Sequence, residues 1–138
     1  MQRHEIDAYV AGSMIDSAMR WCRFGMIQHI VDGDTFDCRL DLGHRISVDC
    51  RFRLFGVNAP ERGQPGYSEA TIAFKAIAQA HMGEELAVVT WKDRRDKYGR
   101  YVADVAIPQT SGKSAAWTTF AWLSDLMLAT GTVEEYLP

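Results

Sequence analysis

Long apolar runs, a surplus of basic residues, a cysteine framework and internal repeats are all missing from this sequence, and each absence removes a class of protein. No apolar stretch is long enough to cross a bilayer as a helix. The opening residues, MQRHEIDAYV, lack the apolar centre of a signal peptide, so a cytoplasmic setting without a membrane partner is expected. Three cysteines make no obvious disulfide framework, in keeping with a reducing compartment. A net charge of −3 argues against an indiscriminate grip on nucleic acid, which depends on a basic surface. Positive charge is local instead, with Lys92, Arg94, Arg95, Lys97 and Arg100 close together. With no repeat, low-complexity stretch or sign of a second domain, 138 residues suit one domain that can bury a real core.

What is present is chiefly period-2 alternation. The segment Val31 to Glu61, VDGDTFDCRLDLGHRISVDCRFRLFGVNAPE, reads as a long β-hairpin. Phe36, Cys38, Leu40 and Leu42 alternate with Thr35, Asp37, Arg39 and Asp41. Beyond a turn at Gly43-His44, Ile46, Val48, Cys50, Phe52 and Leu54 alternate with Arg45, Ser47, Asp49, Arg51 and Arg53. Charge selects the register. One pairing opposes Arg39 to Asp49, Asp37 to Arg51 and Phe36 to Phe52, whereas slipping by two residues opposes Asp37 to Asp49 or Arg39 to Arg51. Opposite charges across a ladder contribute roughly 0.2–1 kcal/mol and like charges cost a similar amount, so the first pairing is favoured. It sets Arg53 across from Thr35, beside the acidic turn Asp32 to Asp34, with Asn58 and Glu61 following on the same segment. Carboxylates gathered near a guanidinium suit metal-assisted cleavage of a phosphodiester.

Around the hairpin, residues 5 to 18 show helical spacing weakened by Gly12, and Trp21 to Val31 reads as a first strand. Pro60 to Gly66 is a loop, and Ser68 is suited to cap a helix through about His81 with Ala70, Ala73, Phe74, Ile77 and Ala80 on its buried side. Leu86 to Trp91 and Tyr101 to Ile107 are strands flanking a charged turn, Asp93 to Gly99. Pro108 to Ser114 is a polar loop, and a short helix is expected from near Ser124 to Gly131. Five strands in hairpin and meander order with two to three helices predict an α+β, mainly β, Greek-key barrel.

Three motifs in order, VDGDTF, RLFGVNAPE and DKYGR, with a helix between the last two, resemble the staphylococcal-nuclease (thermonuclease-like) family over about residues 21 to 136. Each alone is weak; together they are specific. The resemblance implies an OB-fold-type five-stranded barrel over residues 21–138, with residues 1–20 as a helical extension. It also implies a calcium-dependent endonuclease that hydrolyses DNA or RNA with little sequence preference, leaving 3′-phosphate ends. On that likeness Asp34 is the main calcium ligand, Asp32 a supporting acid, Asn58 the second ligand, and Ala59 a backbone-carbonyl ligand. Arg53 and Arg100 are the phosphate-binding arginines, and Glu61 orients or deprotonates the attacking water. Lys97 and Tyr98 contact the nucleotide. Tyr136 either stacks on a base or packs on the barrel.

The chain departs from the family at Asn58, where an aspartate is common, and at Ala59, where threonine is. The first removes a negative charge and predicts weaker calcium binding, since charge count tunes affinity at oxygen-ligand sites. Magnesium or manganese as the working ion stays open. The partner expected is single-stranded or flexible nucleic acid, met by a monomer. The competing reading is a catalytically silent OB-type module that binds nucleic acid or protein, supported by Asn58 and the acidic net charge. The chosen register also sets Cys38 opposite Cys50, close enough for a disulfide, although two small buried thiols are the simpler expectation in a reducing cytosol. A zinc site from Cys38, Cys50 and His44 lacks ligand-pair spacing.

Overall fold

The structure, a computed structural model, describes residues 20–92, 100–109 and 119–136. The expected helix over residues 5 to 18, the Asp93 to Gly99 turn, and Lys97 and Tyr98 lie outside them. Alternating side chains drive the chain into β1 (Arg20–Asp32), β2 (Thr35–Gly43) and β3 (Ile46–Leu54), each antiparallel to the one before. After β4 (Val57–Asn58) and α1 (Tyr67–Gln79) come β5 (Leu86–Lys92) and β6 (Tyr101–Gln109). β5 pairs with β1 and β6, and β6 closes the ring by running parallel to β3 at Phe52 to Leu54. The result is a closed five-stranded barrel of OB type, β1-β2-β3-β6-β5, with α1 inserted between its third and fourth strands in the chain. No described helix is long and apolar enough to cross a membrane.

The core fills the barrel and the space beneath α1. Phe36 and Phe52 face each other across β2 and β3, and Phe74 from α1 meets Phe36 edge-on, with ring centroids 5.9 Å apart in both pairs. Ala70, Phe74 and Ala78, at successive fourth positions, are the buried stripe of α1. Two expectations about this helix are corrected. Its cap is Gly66, in a left-handed conformation (φ 90°) without a side-chain bond, and not Ser68, which lies exposed in the first turn. Ala80 is exposed, and Ala78 takes the place assigned to it.

The β2–β3 register is the one charge pairing selects: Arg39 meets Asp49, and Arg51 meets Asp37, each through two hydrogen bonds of 2.8 to 3.2 Å. At the tip the prediction is off by one. A bulge at Leu42 shifts the turn from Gly43-His44 to His44-Arg45, flanked by the pair Gly43 and Ile46. Both turn residues have positive φ, 53° and 64°, as a two-residue primed turn demands. Left-handed backbone is costly for side chains other than glycine, asparagine or aspartate, so the double change His44→Asn, Arg45→Gly is expected to raise stability by about 1 kcal/mol. Urea unfolding checks this; no gain would mean that the hairpin tip carries no strain. The hairpin outgrows the barrel, which is why Leu42, Ile46 and Val48 continue the apolar stripe yet stand exposed.

Three short strands were not expected. β7 (Thr119–Trp122) adds to the end of β6, so Pro108 and Gln109 are strand and not loop. β8 (Glu134–Glu135) pairs with β4 in a separate two-stranded ladder, Asn58 opposite Glu134 and Val57 opposite Glu135. Between them, α2 (Leu123–Ala129) starts one residue before Ser124 and is followed by Gly131 in left-handed conformation (φ 74°).

α2 has no cap from its own N-terminal residue. Asp104, buried on β6, supplies one: its Oδ1 accepts from Ser124 N (3.1 Å) and Val105 N (2.9 Å), and its Oδ2 accepts from Ser124 Oγ (2.5 Å). Burial outweighs these donors and pushes the Asp104 carboxyl from 3.8 up to about 6. The folded protein therefore holds this proton more tightly than the unfolded chain does. The stability Asp104 contributes is complete below its unfolded value and is lost as pH rises through about 6. Relative to Asp104→Asn, which keeps the shape but cannot titrate, the native protein is expected to lose up to about 3 kcal/mol over that range. Urea midpoints at a series of pH values check this, and parallel curves for the two proteins would refute it.

Candidate active site

The DGDT turn between β1 and β2 is held from three sides. Asp32 pairs with Thr35 across the turn, and Asp32 Oδ1 accepts from Asp34 N at 3.2 Å. Asp34 O accepts from Leu54 N at 2.7 Å, which ties the turn to the end of β3. The Asp34 carboxylate accepts from Thr35 Oγ1 (3.0 Å) through Oδ1 and from Ala59 N (3.1 Å) through Oδ2. Gly33 lies buried between Ala59 and Ala70, where a Cβ would come within 2.8 and 2.7 Å of theirs. Burial, together with the Asp32 carboxyl beside it, holds the Asp34 carboxyl above its ordinary value despite the bonds from Ala59 and Thr35.

Arg53 sits opposite Thr35, as the register predicts. Its guanidinium forms no ion pair with Asp34; it lies over the Tyr136 ring, 4.7 Å from the centroid, and Nη2 makes a long contact of 3.5 Å to Val57 O. Tyr136 thus has the arginine as its ring partner. Arg100 precedes β6 half-buried, next to Tyr101, which is in register with Phe52. Alternation carried back from Val102, the partner of Arg53, puts Arg100 on the same outer face.

Asn58 and Glu61 open onto a cavity of about 760 Å³, also lined by Gln64, Glu69, Thr132 and Glu134. The Glu61 loop is fixed by its backbone: Glu61 N donates to Gln64 Oε1 and Gln64 N to Glu61 O, both at 2.9 Å, leaving the carboxylate exposed. Asp32, Asp34 and Arg53 do not line this cavity. The candidate residues thus fall into two groups, acid turn with arginine and cavity wall, joined at the Asn58-Ala59 peptide that Asp34 grips. Thr35, Gln64 and Glu134 were missed from sequence. The first is adjacent to Asp34 in DGDT and is the one a local signal marks.

The groups that the family resemblance assigns to a cation all offer oxygen: the Asp34 and Asp32 carboxylates at the turn, and the Asn58 amide and Ala59 carbonyl on the adjoining loop that the turn grips through Ala59 N. That chemistry fits a hard divalent ion such as calcium, and a positive charge would favour the ionised Asp34 carboxyl that burial, and then Asp32, work against. It is a sparse set, since no group of three histidine, cysteine or acidic side chains suited to a metal occurs among the described residues. Cys38 and Cys50 face each other as free thiols, and burial pushes Cys38 up to about 12, which makes it inert near neutrality.

The chain is a closed OB-type barrel with an acidic turn and a half-buried arginine at one edge. Residues 51–130 match the model of the staphylococcal nuclease homologues, more than half of the chain, and the protein belongs to that family. The match includes Arg53, Asn58, Glu61 and Arg100 but begins after the DGDT turn. Comparison with curated proteins gave no match.

Proposed function

We propose that the protein is a metal-dependent endonuclease that hydrolyses single-stranded or flexible DNA and RNA with little sequence preference, with calcium as its ion and 3′-phosphate ends as products. Family membership supports the nuclease class. The observation that carries the finer reading is the hydrogen bond from Ala59 N to Asp34, which fastens the acid turn to the loop bearing Asn58 and Glu61.

Asp34, Asn58 and the Ala59 carbonyl would hold the ion, with Asp32 supporting Asp34. When bound, calcium would supply polarisation of a phosphoryl oxygen and of a water. Glu61, without a side-chain partner for its carboxylate among the described residues, takes the proton of the attacking water. Arg53 and Arg100 fork onto the phosphate oxygens and follow the charge that develops there. Tyr136 steadies the Arg53 guanidinium by a cation–π contact worth about 0.5–1 kcal/mol at an exposed site, so the arginine meets phosphate already oriented. Lys97 and Tyr98 contact the nucleotide.

Fluorescent single-stranded DNA and RNA oligonucleotides, incubated with calcium, magnesium, manganese or chelator alone, test this reading. Cleavage with calcium that chelator stops supports it. Absence of cleavage with every ion would leave the silent module, and cleavage that survives chelation would overturn the metal-dependent mechanism.

A further inference from the structure

We propose that the chain forms a two-fold dimer through the exposed edge of β3, with Ile46 to Cys50 of two copies paired antiparallel about Val48. The hairpin that outgrows the barrel is then an interface, and each copy's bare apolar stripe is covered by the other's.

The edge is open and undefended. β2 lines one side of β3, and β6 reaches the other side only at Phe52 to Leu54. Among the described residues, no strand pairing or backbone hydrogen bond engages that side of Ile46 to Arg51. Proteins usually blunt such an edge with proline, lysine or another unpaired charge. β3 has neither proline nor lysine, and its two charges here are taken: Asp49 by Arg39 and Arg51 by Asp37, both on β2. The even-numbered face is apolar and bare, with Ile46 57% exposed and Val48 38%. On that face Leu40, Leu42, Val48, Cys50, Phe52 and Tyr101 contribute to the lining of a cavity of about 350 Å³.

Register selects a second copy as the occupant. Directly opposed residues share a face, so two β3 strands keep their apolar sides together only in registers that differ by steps of two. One register sets Val48 opposite the second copy's Val48 and Ile46 opposite its Cys50. It also sets Ser47 opposite the second copy's Asp49, where a hydroxyl can donate to a carboxylate. Slipping one way opposes the two Asp49 side chains, a destabilising like-charge pair. Slipping the other way leaves only Ile46 to Val48 in the ladder. The first register wins on the grounds that set β2 against β3. It also fills the cavity. Ile46 lands beside the second copy's Cys50, and next along that edge stands Tyr101, the partner of Phe52. The apolar group each copy leaves bare is the one the other's cavity lacks, the self-complementarity that a two-fold interface requires. At the ends of the ladder Arg45 meets the second copy's Arg51, whose charge Asp37 already offsets. The ladder stops short of Arg53 and the acidic turn, which stay outside the interface.

Sedimentation equilibrium of the full chain over a range of concentrations tests the proposal. At the upper end the native protein is expected at twice the mass of one chain. Val48→Lys, which sets two ammonium groups face to face at the two-fold axis, is expected at the mass of one. Ile72→Lys, on the exposed face of α1, should leave the dimer intact. Both replaced side chains are exposed, and thermal unfolding of the two variants shows that the fold is kept. Cross-linking reads the register. Under mild oxidation Val48→Cys should give a disulfide-linked dimer beyond any that the native thiols form, since opposed Cβ atoms lie about 4.5–5.5 Å apart, whereas Ser47→Cys should add none. A native chain that stays monomeric at every concentration overturns the proposal. So does a dimer that survives Val48→Lys, or one that cross-links through Ser47→Cys and not through Val48→Cys.

Discussion

Glu61→Gln is expected to lower kcat on single-stranded DNA by roughly 10²–10⁴-fold, the range contributed by a positioned general base. The substitution is nearly isosteric and removes only the capacity to take a proton. Nothing among the described residues leans on the carboxylate: it is exposed, and the loop is held by Glu61 N on Gln64 Oε1 and by Gln64 N on Glu61 O, both of which glutamine retains. Stability should stay within about 0.5 kcal/mol, as for other exposed positions away from special contacts. The loss should appear in kcat with KM little changed, because Arg53 and Arg100, which would hold the phosphate in the proposed mechanism, and the groups that would hold the ion are untouched. Steady-state kinetics beside thermal unfolding decide it. Full activity in Glu61→Gln would remove the glutamate from the chemistry and leave the arginines and the acid turn as a binding site alone.

How much of this was legible in the sequence depends on how far apart the interacting residues lie. The hairpin register could be read because it is set by nearby alternation and by Asp37, Arg39, Asp49 and Arg51, whose pairing has one good solution. The tip could not, because the Leu42 bulge lets the chain choose its turn after the ladder is set, and His44 and Arg45 carry none of the usual glycine or asparagine signal. Ser68 looks like a helix cap, yet Tyr67 already belongs to α1, since the left-handed Gly66 turns the chain into the helix one residue earlier. The cap of α2 arrives from Asp104 on another strand, and no local pattern announces it.

The candidate site divides along the same line. Asp34, Arg53 and their common edge follow from the register of adjacent strands. That Tyr136 rests on Arg53 and Glu134 stands opposite Asn58 requires the chain's end to return beside β4, a pairing of two residues per strand with no alternation long enough to detect. Pairing this short cannot specify itself. β8 is placed by its neighbours: Val133, just before it, is buried in the main core with Leu123 and Met127 of α2. Through α2, the buried Asp104 cap contributes to holding the C-terminal strand against the site.

Gly33→Ala is expected to cost about 3 kcal/mol of stability, the upper end of ordinary overpacking, and to reduce calcium affinity and cleavage together. Gly33 reads as turn chemistry, but its backbone φ is not among the positive ones; the constraint is space. An added Cβ would lie 2.7 Å from the Ala70 Cβ and 2.8 Å from the Ala59 Cβ, separations that real Cβ atoms do not adopt. Neither neighbour can rotate away, because a Cβ moves only with its backbone. Relief therefore means lifting α1, which carries Phe74 against Phe36, or shifting Ala59, whose N–H is the link to Asp34. The first route costs stability and the second costs the site. Ala70→Gly in the same chain removes the closer clash and should recover part of the loss, less about 1 kcal/mol for glycine inside a helix. The recovery should be larger for stability than for calcium affinity, because the Ala59 contact remains. Urea unfolding and calcium titration of both single variants and the double variant make the comparison; additive effects of the two changes would show that the turn and helix do not touch through Gly33.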